Sequence, residues 1–293
     1  MNSCFLSSVR ARLGAVSRLF SRLHLLNLDV VAGAVASNLM VRILLQTPTY
    51  SSVSYYILGS TVWIIYTLDR LWDAYRMKDF PASPRHHFHY QNQKPLRWVV
   101  VMLMMLTAAA SFYFLPRRVI WFGLGMALLV VLYLWIVHLL AARRQNWFQK
   151  EPLVAVLYTA GIWGPVMVVR GSCSLAEWAL CLTFAGVAFQ NLLLFSLFDI
   201  KNDLRKQERS LAISWGPDQS ARVLHWLFVA IVLACIGIWV AASEGRQQEV
   251  AFIEACMSLV LFLISCFPAS FQRNERFRWI GDGIFFLPLL VLV

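Results

Sequence analysis

Long uninterrupted runs of apolar residues dominate the chain, and short polar segments separate them. An α-helix crosses the hydrocarbon core of a bilayer, about 30 Å thick, with roughly 20 apolar residues. The runs lack the two-residue alternation of apolar and polar side chains that a transmembrane β-strand requires. The pattern therefore predicts an all-α integral membrane bundle of about nine transmembrane helices. We place these spans at residues 25–45, 53–73, 98–115, 119–140, 152–169, 176–198, 223–242, 250–267 and 279–293.

The composition supports a membrane protein. Of the 293 residues, 59% are apolar and only 14% are charged, whereas a typical soluble domain has about 25% charged residues. A soluble fold of this length could not bury so much apolar surface. The chain divides into a basic, amphipathic N-terminal segment, residues 1–24, and a nine-helix transmembrane domain, residues 25–293, which leaves nothing for a separate soluble domain.

Lys and Arg concentrate in the N-terminal arm and in the segments after the second, fourth, sixth and eighth predicted spans. Basic loops stay on the cytoplasmic side of a membrane, so we expect a cytoplasmic N-terminus in a bacterial inner membrane, with an organellar membrane as the alternative. The opposite segments hold only Arg117, Arg118, Arg170 and Arg246, while Arg42 is expected to extend its guanidinium to the lipid headgroups. The net charge of +11 is then explained by topology and contact with the lipid bilayer, and nucleic-acid binding is not predicted.

The N-terminal segment has two interpretations. It carries four arginines, several serines and no acidic residue, and Val9, Leu13, Val16 and Phe20 follow one helical face. An amphipathic helix lying on the membrane surface has this pattern, and so does an organellar transit peptide. The six cysteines show no metal-ligand or redox spacing, and we interpret them as small apolar residues.

Two pairs of aspartates lie at the predicted cytoplasmic ends of the second and sixth spans. Asp69 and Asp73 are four residues apart, and so are Asp199 and Asp203. This spacing places both carboxylates of a pair on one helix face, where like charges repel. A cation is therefore expected close to each pair.

Mg²⁺ is a natural candidate because proteins commonly hold it with one or two carboxylates together with substrate phosphates. Two facing pairs could hold metal ions that bridge a diphosphate while a carbon–oxygen bond breaks. The alternative is that each pair is a solvated helix end that forms ion pairs with neighbouring Arg and Lys. Basic residues near the two pairs could contact the diphosphate directly: Arg70, Arg76, Lys78, Lys201 and Arg205.

These motifs resemble those of the UbiA superfamily of intramembrane prenyltransferases. That family has nine helices and two aspartate motifs, after the second and sixth helices, over a central cavity. Asp69-Arg-Leu-Trp-Asp73 is similar to the end of the first motif. Asp199-Ile-Lys-Asn-Asp203, followed by Ser210-Leu-Ala-Ile-Ser-Trp-Gly216, is similar to the second. Lys150 and Arg278-Trp-Ile-Gly-Asp282 also match, and the resemblance covers the chain from about residue 25 to its end.

The resemblance implies a Mg²⁺-dependent enzyme that moves a polyprenyl group from its diphosphate to a hydrophobic, membrane-embedded acceptor. The four aspartates would be the metal-holding, catalytic residues, and Lys150 would join the residues that contact diphosphate. The chain departs from the family at Ile65 and Tyr66, where an Asn-Asp pair is usual, at residues 83–89, which replace an Arg-Pro, and at Gln207, which replaces a glycine. These departures leave two alternatives open: a prenyl diphosphate cyclase or hydrolase, and a catalytically degenerate membrane protein with a lipid-binding or assembly role.

Polar residues inside or beside the spans are candidates for lining the cavity, because uncompensated polar groups are costly in the membrane. Tyr66, Asn191 and Asp282 are the cavity candidates. For Asn191 and its neighbour Gln190, hydrogen bonding between helices is the alternative, and for Tyr66 it is an interfacial position. The loop after the second predicted span carries three histidines, His86, His87 and His89. It has three interpretations: a metal site, a lid over phosphate and an ordinary interfacial loop.

Overall fold

The structure is a computed structural model that describes residues 26–47, 51–76, 84–142, 150–206, 210–242 and 244–292. The regular structure within these ranges is entirely helical, which confirms the predicted all-α fold. The N-terminal segment, and with it the choice between a surface helix and a transit peptide, lies outside the described residues.

Twelve α-helices and two 3₁₀ helices follow one another along the described ranges. The α-helices are α1 Leu28–Leu44, α2 Val53–Arg76, α3 Pro84–Gln91, α4 Gln93–Phe114, α5 Arg117–Ala142, α6 Lys150–Arg170, α7 Leu175–Lys206, α8 Leu211–Trp215, α9 Pro217–Ala241, α10 Gly245–Cys266, α11 Pro268–Gln272 and α12 Arg276–Gly283. The 3₁₀ helices are Arg273–Glu275 and Ile284–Leu292.

Each predicted span coincides with helical structure. In the described part of the chain, six helices are long and apolar enough to cross a membrane, namely α4, α5, α6, α7, α9 and α10. The chain is therefore a multi-pass membrane protein. The other three predicted spans correspond to α1, to α2 and to α12 with the 3₁₀ helix after it, and the count of nine stays a prediction.

The last predicted span differs from a regular transmembrane helix. Helix α12 ends at Gly283, and the chain continues as a 3₁₀ helix, Ile284–Leu292. Pro288 lies inside this segment. Proline has no backbone N–H and its ring clashes with the carbonyl four residues earlier, here that of Ile284, which is a physical reason for the α-helix to stop before this point.

Helix α1 lies inside the bundle, where it packs against α2, α6, α10, α12 and the C-terminal 3₁₀ helix. The contact with the 3₁₀ helix is close, because a Cβ atom built on Gly33 would lie only 2.8 Å from the Cβ atom of Phe285. Helix α7 packs against α6, α9 and α10. Helices α4 and α5 expose most of their large apolar side chains, including Trp98, Tyr113 and Trp121, which marks them as the lipid-facing side of the bundle.

A polar seam joins α7 to α10 within the apolar core. The Ser258 hydroxyl donates to Oε1 of Gln190 at 2.7 Å, and Nε2 of Gln190 donates to the Ser258 carbonyl at 3.4 Å. Glu254 lies one helical turn before Ser258, and its carboxyl accepts a hydrogen bond from the hydroxyl of Thr183. Of the two interpretations of Gln190, the structure shows hydrogen bonding between helices.

Candidate active site

The candidate site lies at the end of the bundle where α2 and α7 end and α12 begins. Helix α2 carries the first aspartate motif in its last turns, and α7 carries the second. Helix α12 packs against both α1 and α7. Its side chains connect the two motifs, as the following contacts show.

Asp199 of the second motif has a guanidinium as its immediate partner. Arg278 of α12 donates from Nη2 to Oδ2 of Asp199. Both side chains are largely buried, at 15% exposure for Asp199 and 21% for Arg278. The guanidinium carbon of Arg278 also lies 5.3 Å from the ring centre of Phe277 and 5.8 Å from that of Phe195. The cation beside this aspartate is thus an arginine, as expected if the aspartate pair is a helix end that forms ion pairs with basic residues.

The other charged residues of the second motif lie nearer the surface. Asp203, one turn after Asp199, is half-buried and interacts with other residues of the protein, as does Lys150 at the start of α6. Lys201 and Arg205 are exposed at the end of α7. Their position leaves both cationic heads accessible to an anionic ligand that approaches this end of the bundle.

The first motif meets α12 through Tyr66. This tyrosine is half-buried and lies close enough to Asp282, Arg70 and Asp69 to interact with their charges. Asp282 interacts with Tyr158 of α6 as well. The structure therefore brings together Asp69, Arg70 and two of the three predicted cavity residues.

Asn191, the third predicted cavity residue, also contacts α12. A Cβ atom on Gly281 would lie 2.7 Å from Oδ1 of Asn191 and 2.6 Å from the ring of Phe195. Asn191 is 4% exposed, and its Oδ1 accepts no hydrogen bond from any residue that the structure describes. Glycine at position 281 is thus required by this close approach, and Asn191 presents a buried polar oxygen beside α12.

Helix α12 spans the distance between the two motifs. Arg278 and Asp282 are four residues apart and so share one face of the helix. One of them holds Asp199 and the other lies beside Tyr66, which neighbours Asp69. One short helix therefore forms an ion pair with the second motif and lies within electrostatic range of the first.

An aromatic cluster adjoins Asp282 on the interior side. The ring of Tyr158 lies 5.3 Å from that of Phe285 and 6.3 Å from that of Phe184. Phe184 in turn lies 6.2 Å from Trp163. Edge-to-face and offset contacts of this kind are favourable arrangements for aromatic rings. The charged end of the site thus borders an apolar, aromatic interior.

Several predicted site residues lie partly or wholly outside the described part of the structure. The backbones of Asp73 and Arg76 belong to the last turn of α2, but their side chains are not described, and Lys78 lies outside altogether. The histidine segment, predicted as a loop, forms the short helix α3, which begins with Pro84, a residue suited to a first helical position. His89 is buried with its ring 5.5 Å from that of Phe88, while the side chains of His86 and His87 are not described.

The donor set of the site fits Mg²⁺ in kind. Across the described residues, no group of three or more His, Cys, Asp and Glu side chains is close enough to hold a metal ion. Mg²⁺ does not require such a cage, because it commonly takes one or two carboxylates, substrate phosphates and water. Asp69, Asp199 and Asp203 supply oxygen ligands of this type. Mg²⁺ binding stays a prediction.

Two of the buried carboxyl groups that sequence reasoning missed are those of Glu151 and Glu254. The backbone N–H of Leu211 donates a hydrogen bond to Oε1 of Glu151 at 2.8 Å. The backbone N–H of Ala212 donates to Oγ of Ser196 at 3.1 Å. These bonds attach α8, the segment after the second motif, to α6 and α7. Glu254 is fully buried between α7 and α10. The available signal was the same for both: a lone carboxyl group in or beside an apolar span.

No family model matches the sequence, and no curated protein matches it. The structure is similar to a solved structure of a digeranylgeranylglyceryl phosphate synthase, a membrane enzyme of the UbiA superfamily. The similarity has a TM-score of 0.54 and covers 94% of this chain and 98% of that chain, at 14% sequence identity. The predicted UbiA-like fold is therefore confirmed.

Proposed function

We propose that the protein is a Mg²⁺-dependent intramembrane prenyltransferase that moves a polyprenyl group from its diphosphate to a hydrophobic acceptor. The observation that carries the proposal is the connection of the two aspartate motifs through α12. Arg278 binds Asp199, and Asp282 lies within electrostatic range of Tyr66, which is three residues from Asp69 in the first motif. The UbiA-like fold supports the same assignment.

In this proposal the aspartates hold the metal and basic residues hold the diphosphate. Asp69, Asp73, Asp199 and Asp203 would be the ligands. A bound Mg²⁺ ion supplies charge neutralisation for the diphosphate leaving group. The basic residues proposed to contact the diphosphate oxygens are Arg70, Arg76, Lys78, Lys150, Lys201 and Arg205.

The interior beside the site suits a cationic prenyl group. Tyr66 and Tyr158 lie near Asp282, and Tyr158 packs against Phe184 and Phe285. Aromatic faces attract cations, and an apolar interior excludes the water that would hydrolyse a reactive carbocation. The acceptor would enter from the lipid, since both reactants are hydrophobic.

A catalytically degenerate lipid-binding protein is the second candidate. Two observations favour it: Arg278 already neutralises Asp199, and Ile65 with Tyr66 occupies the positions where the family usually has Asn-Asp. In that case the ion pair would be a permanent structural contact, and Mg²⁺ would have no effect on the protein.

The deciding experiment incubates the purified protein, in nanodiscs that contain membrane lipid extract as a source of acceptor, with labelled prenyl diphosphates of several chain lengths. The expected result is Mg²⁺-dependent release of diphosphate together with a prenylated lipid. Asp199→Asn should lack this activity, whereas Asp218→Asn, which changes an exposed aspartate at the start of α9, should keep it.

The other outcomes separate the alternatives. Diphosphate release with a free prenyl alcohol or cyclised product would identify a hydrolase or cyclase. If no prenyl diphosphate is consumed, and none stabilises the protein in the presence of Mg²⁺, the degenerate lipid-binding protein is the correct assignment.

A further inference from the structure

Three arginines from three helices meet at the C-terminal end of α1, at the opposite end of α2 from the aspartates. They are Arg42 of α1, Arg170 of α6 and Arg246 of α10. Nη1 of Arg170 donates to the Leu45 carbonyl at 2.8 Å, and Nη1 of Arg246 donates to the Ile43 carbonyl at 3.1 Å. Positive residues are sparse on this side of the predicted topology, so the positive-inside rule does not explain why they converge.

Arg42 is held by contacts within the protein. Its side chain is only 4% exposed. Nε donates to Oδ1 of Asn38 and Nη2 donates to Oγ of Ser54, both at 3.0 Å. The guanidinium carbon lies 4.9 Å from the ring centre of Tyr55. These contacts hold the guanidinium in place at the C-terminal end of α1.

The charges of the other two arginines are balanced differently. Arg170 forms an ion pair with Glu177 at 2.7 Å, and the side chain of Glu177 is almost fully buried. Arg246 is exposed, and among the described residues no carboxylate forms an ion pair with it. It therefore keeps a positive charge and several N–H donors directed at its surroundings.

A cavity of about 350 Å³ lies between Arg42 and Arg246. Its walls combine the two guanidinium groups with the aliphatic side chains of Leu39 and Ile43 and the ring of Tyr55. Gln46 and Thr47 also line it, and none of the described residues around it is a carboxylate. The volume is within the range of small-ligand sites, roughly 300–1,000 Å³.

We propose that this cavity, the arginine cavity, binds the phosphate of an anionic phospholipid headgroup. Guanidinium groups form strong, charge-assisted hydrogen bonds with phosphate oxygens. Helix α1 has 17 residues, roughly 25 Å at 1.5 Å per residue, so its end falls near the boundary between hydrocarbon and headgroups. Leu39 and Ile43 extend from the cavity along α1 towards the hydrocarbon, where the glycerol and first acyl carbons of a lipid would lie.

The test measures lipid binding to the delipidated protein in detergent by native mass spectrometry, with phosphatidylglycerol, phosphatidylcholine and inorganic phosphate as separate probes. The wild-type protein should bind phosphatidylglycerol at least about tenfold more tightly than phosphatidylcholine. Arg246→Gln should weaken phosphatidylglycerol binding about tenfold, the effect of losing one hydrogen bond to a charged group. Arg118→Gln, an exposed arginine at the same end but outside the cavity, is the matched control and should bind like the wild type.

Three results would overturn the proposal. Equal losses in Arg246→Gln and Arg118→Gln would mean that only the general surface charge matters. Equal affinities for the two lipids would exclude recognition of an anionic headgroup. Displacement of phosphatidylglycerol by inorganic phosphate at equal concentration would identify a free-anion site. Arg246 is exposed, so its replacement should not unfold the protein, and an unchanged thermal unfolding midpoint would verify this.

Discussion

The two ends of the bundle hold charge in different ways. At the end of α1, Arg42 donates to Asn38 and Ser54, and Arg170 and Arg246 donate to backbone carbonyls. At the other end, Asp199 forms an ion pair with Arg278, which is carried by a short helix, and accepts a longer hydrogen bond, 3.5 Å, from Asn202. Backbone carbonyls cannot leave, whereas a side-chain cation can be exchanged for a ligand. The contrast suits a permanent lipid contact at one end and a reaction at the other.

The largest predicted effect would test whether the aspartate end acts as one unit. Asp69→Asn and Asp199→Asn should each reduce prenyl transfer at least about a hundredfold, because each removes a carboxylate proposed to hold the Mg²⁺ that would neutralise the leaving diphosphate. Groups that work as a unit give non-additive losses, so the double variant should be scarcely worse than either single one. Multiplicative losses in steady-state assays would instead show that the motifs act separately.

The next prediction concerns the arginine end. Arg42→Ala should destabilise the protein by about 2–3 kcal/mol, because it removes two buried hydrogen bonds and leaves a cavity. Arg118→Ala, which changes an exposed residue, should leave stability nearly unchanged. Thermal unfolding in nanodiscs would measure the difference. Equal unfolding midpoints for the two variants would mean that the buried network contributes nothing.

A smaller effect is expected for the ion pair at the aspartate end. Arg278→Gln should cost about 1–2 kcal/mol through the loss of a charge-assisted hydrogen bond in a half-buried setting. Because Asp199 then lacks its cation, added Mg²⁺ should stabilise this variant more than the wild type. Arg276→Gln, an exposed neighbour, is the control. If Mg²⁺ stabilises neither protein, the proposal that Asp199 is a metal ligand fails.

The smallest effect concerns labelling of native cysteines in single-cysteine variants. Cys173 lies between α6 and α7, at the arginine end, whereas Cys266 is the last residue of α10, at the other end. A membrane-impermeant maleimide should therefore reach them from opposite sides. Burial raises the pKa of the Cys173 thiol and Glu177 adds to this, so its labelling should be slow at neutral pH and accelerate as the pH rises. Labelling of both from one side would contradict the topology.

The positions of the spans could be read from the sequence, because hydrophobic length is a local property. The role of Arg42 could not, because its network ends on Ile162, 124 residues from Asn38. Nothing local distinguishes an arginine that reaches towards lipid from one that is enclosed by another helix. The contacts that hold its guanidinium could not be predicted from the sequence for that reason.

The same limit applied to the candidate site. Sequence reasoning predicted that Tyr66, Asn191 and Asp282 are cavity candidates. Asp282 belongs to α12, and the other two lie close to that helix. The partner of Asp199 lies 79 residues away, and the partner of Glu254 lies 71 residues away. A lone carboxyl group in an apolar run carries no pattern that names such a partner. Only the packing of α7 against α10 and α12 identifies them.

The contact between Gly33 and Phe285 constrains the order in which the protein assembles. These residues are separated by about 250 positions, and ribosomes add roughly 5–20 residues per second. Helix α1 therefore spends tens of seconds in the membrane before its C-terminal neighbour has been made. During that time Asn38 also lacks the carbonyl of Ile162 to which it donates. Helix α1 is thus fully packed only after the last described helix has been made, long after it has itself been synthesised.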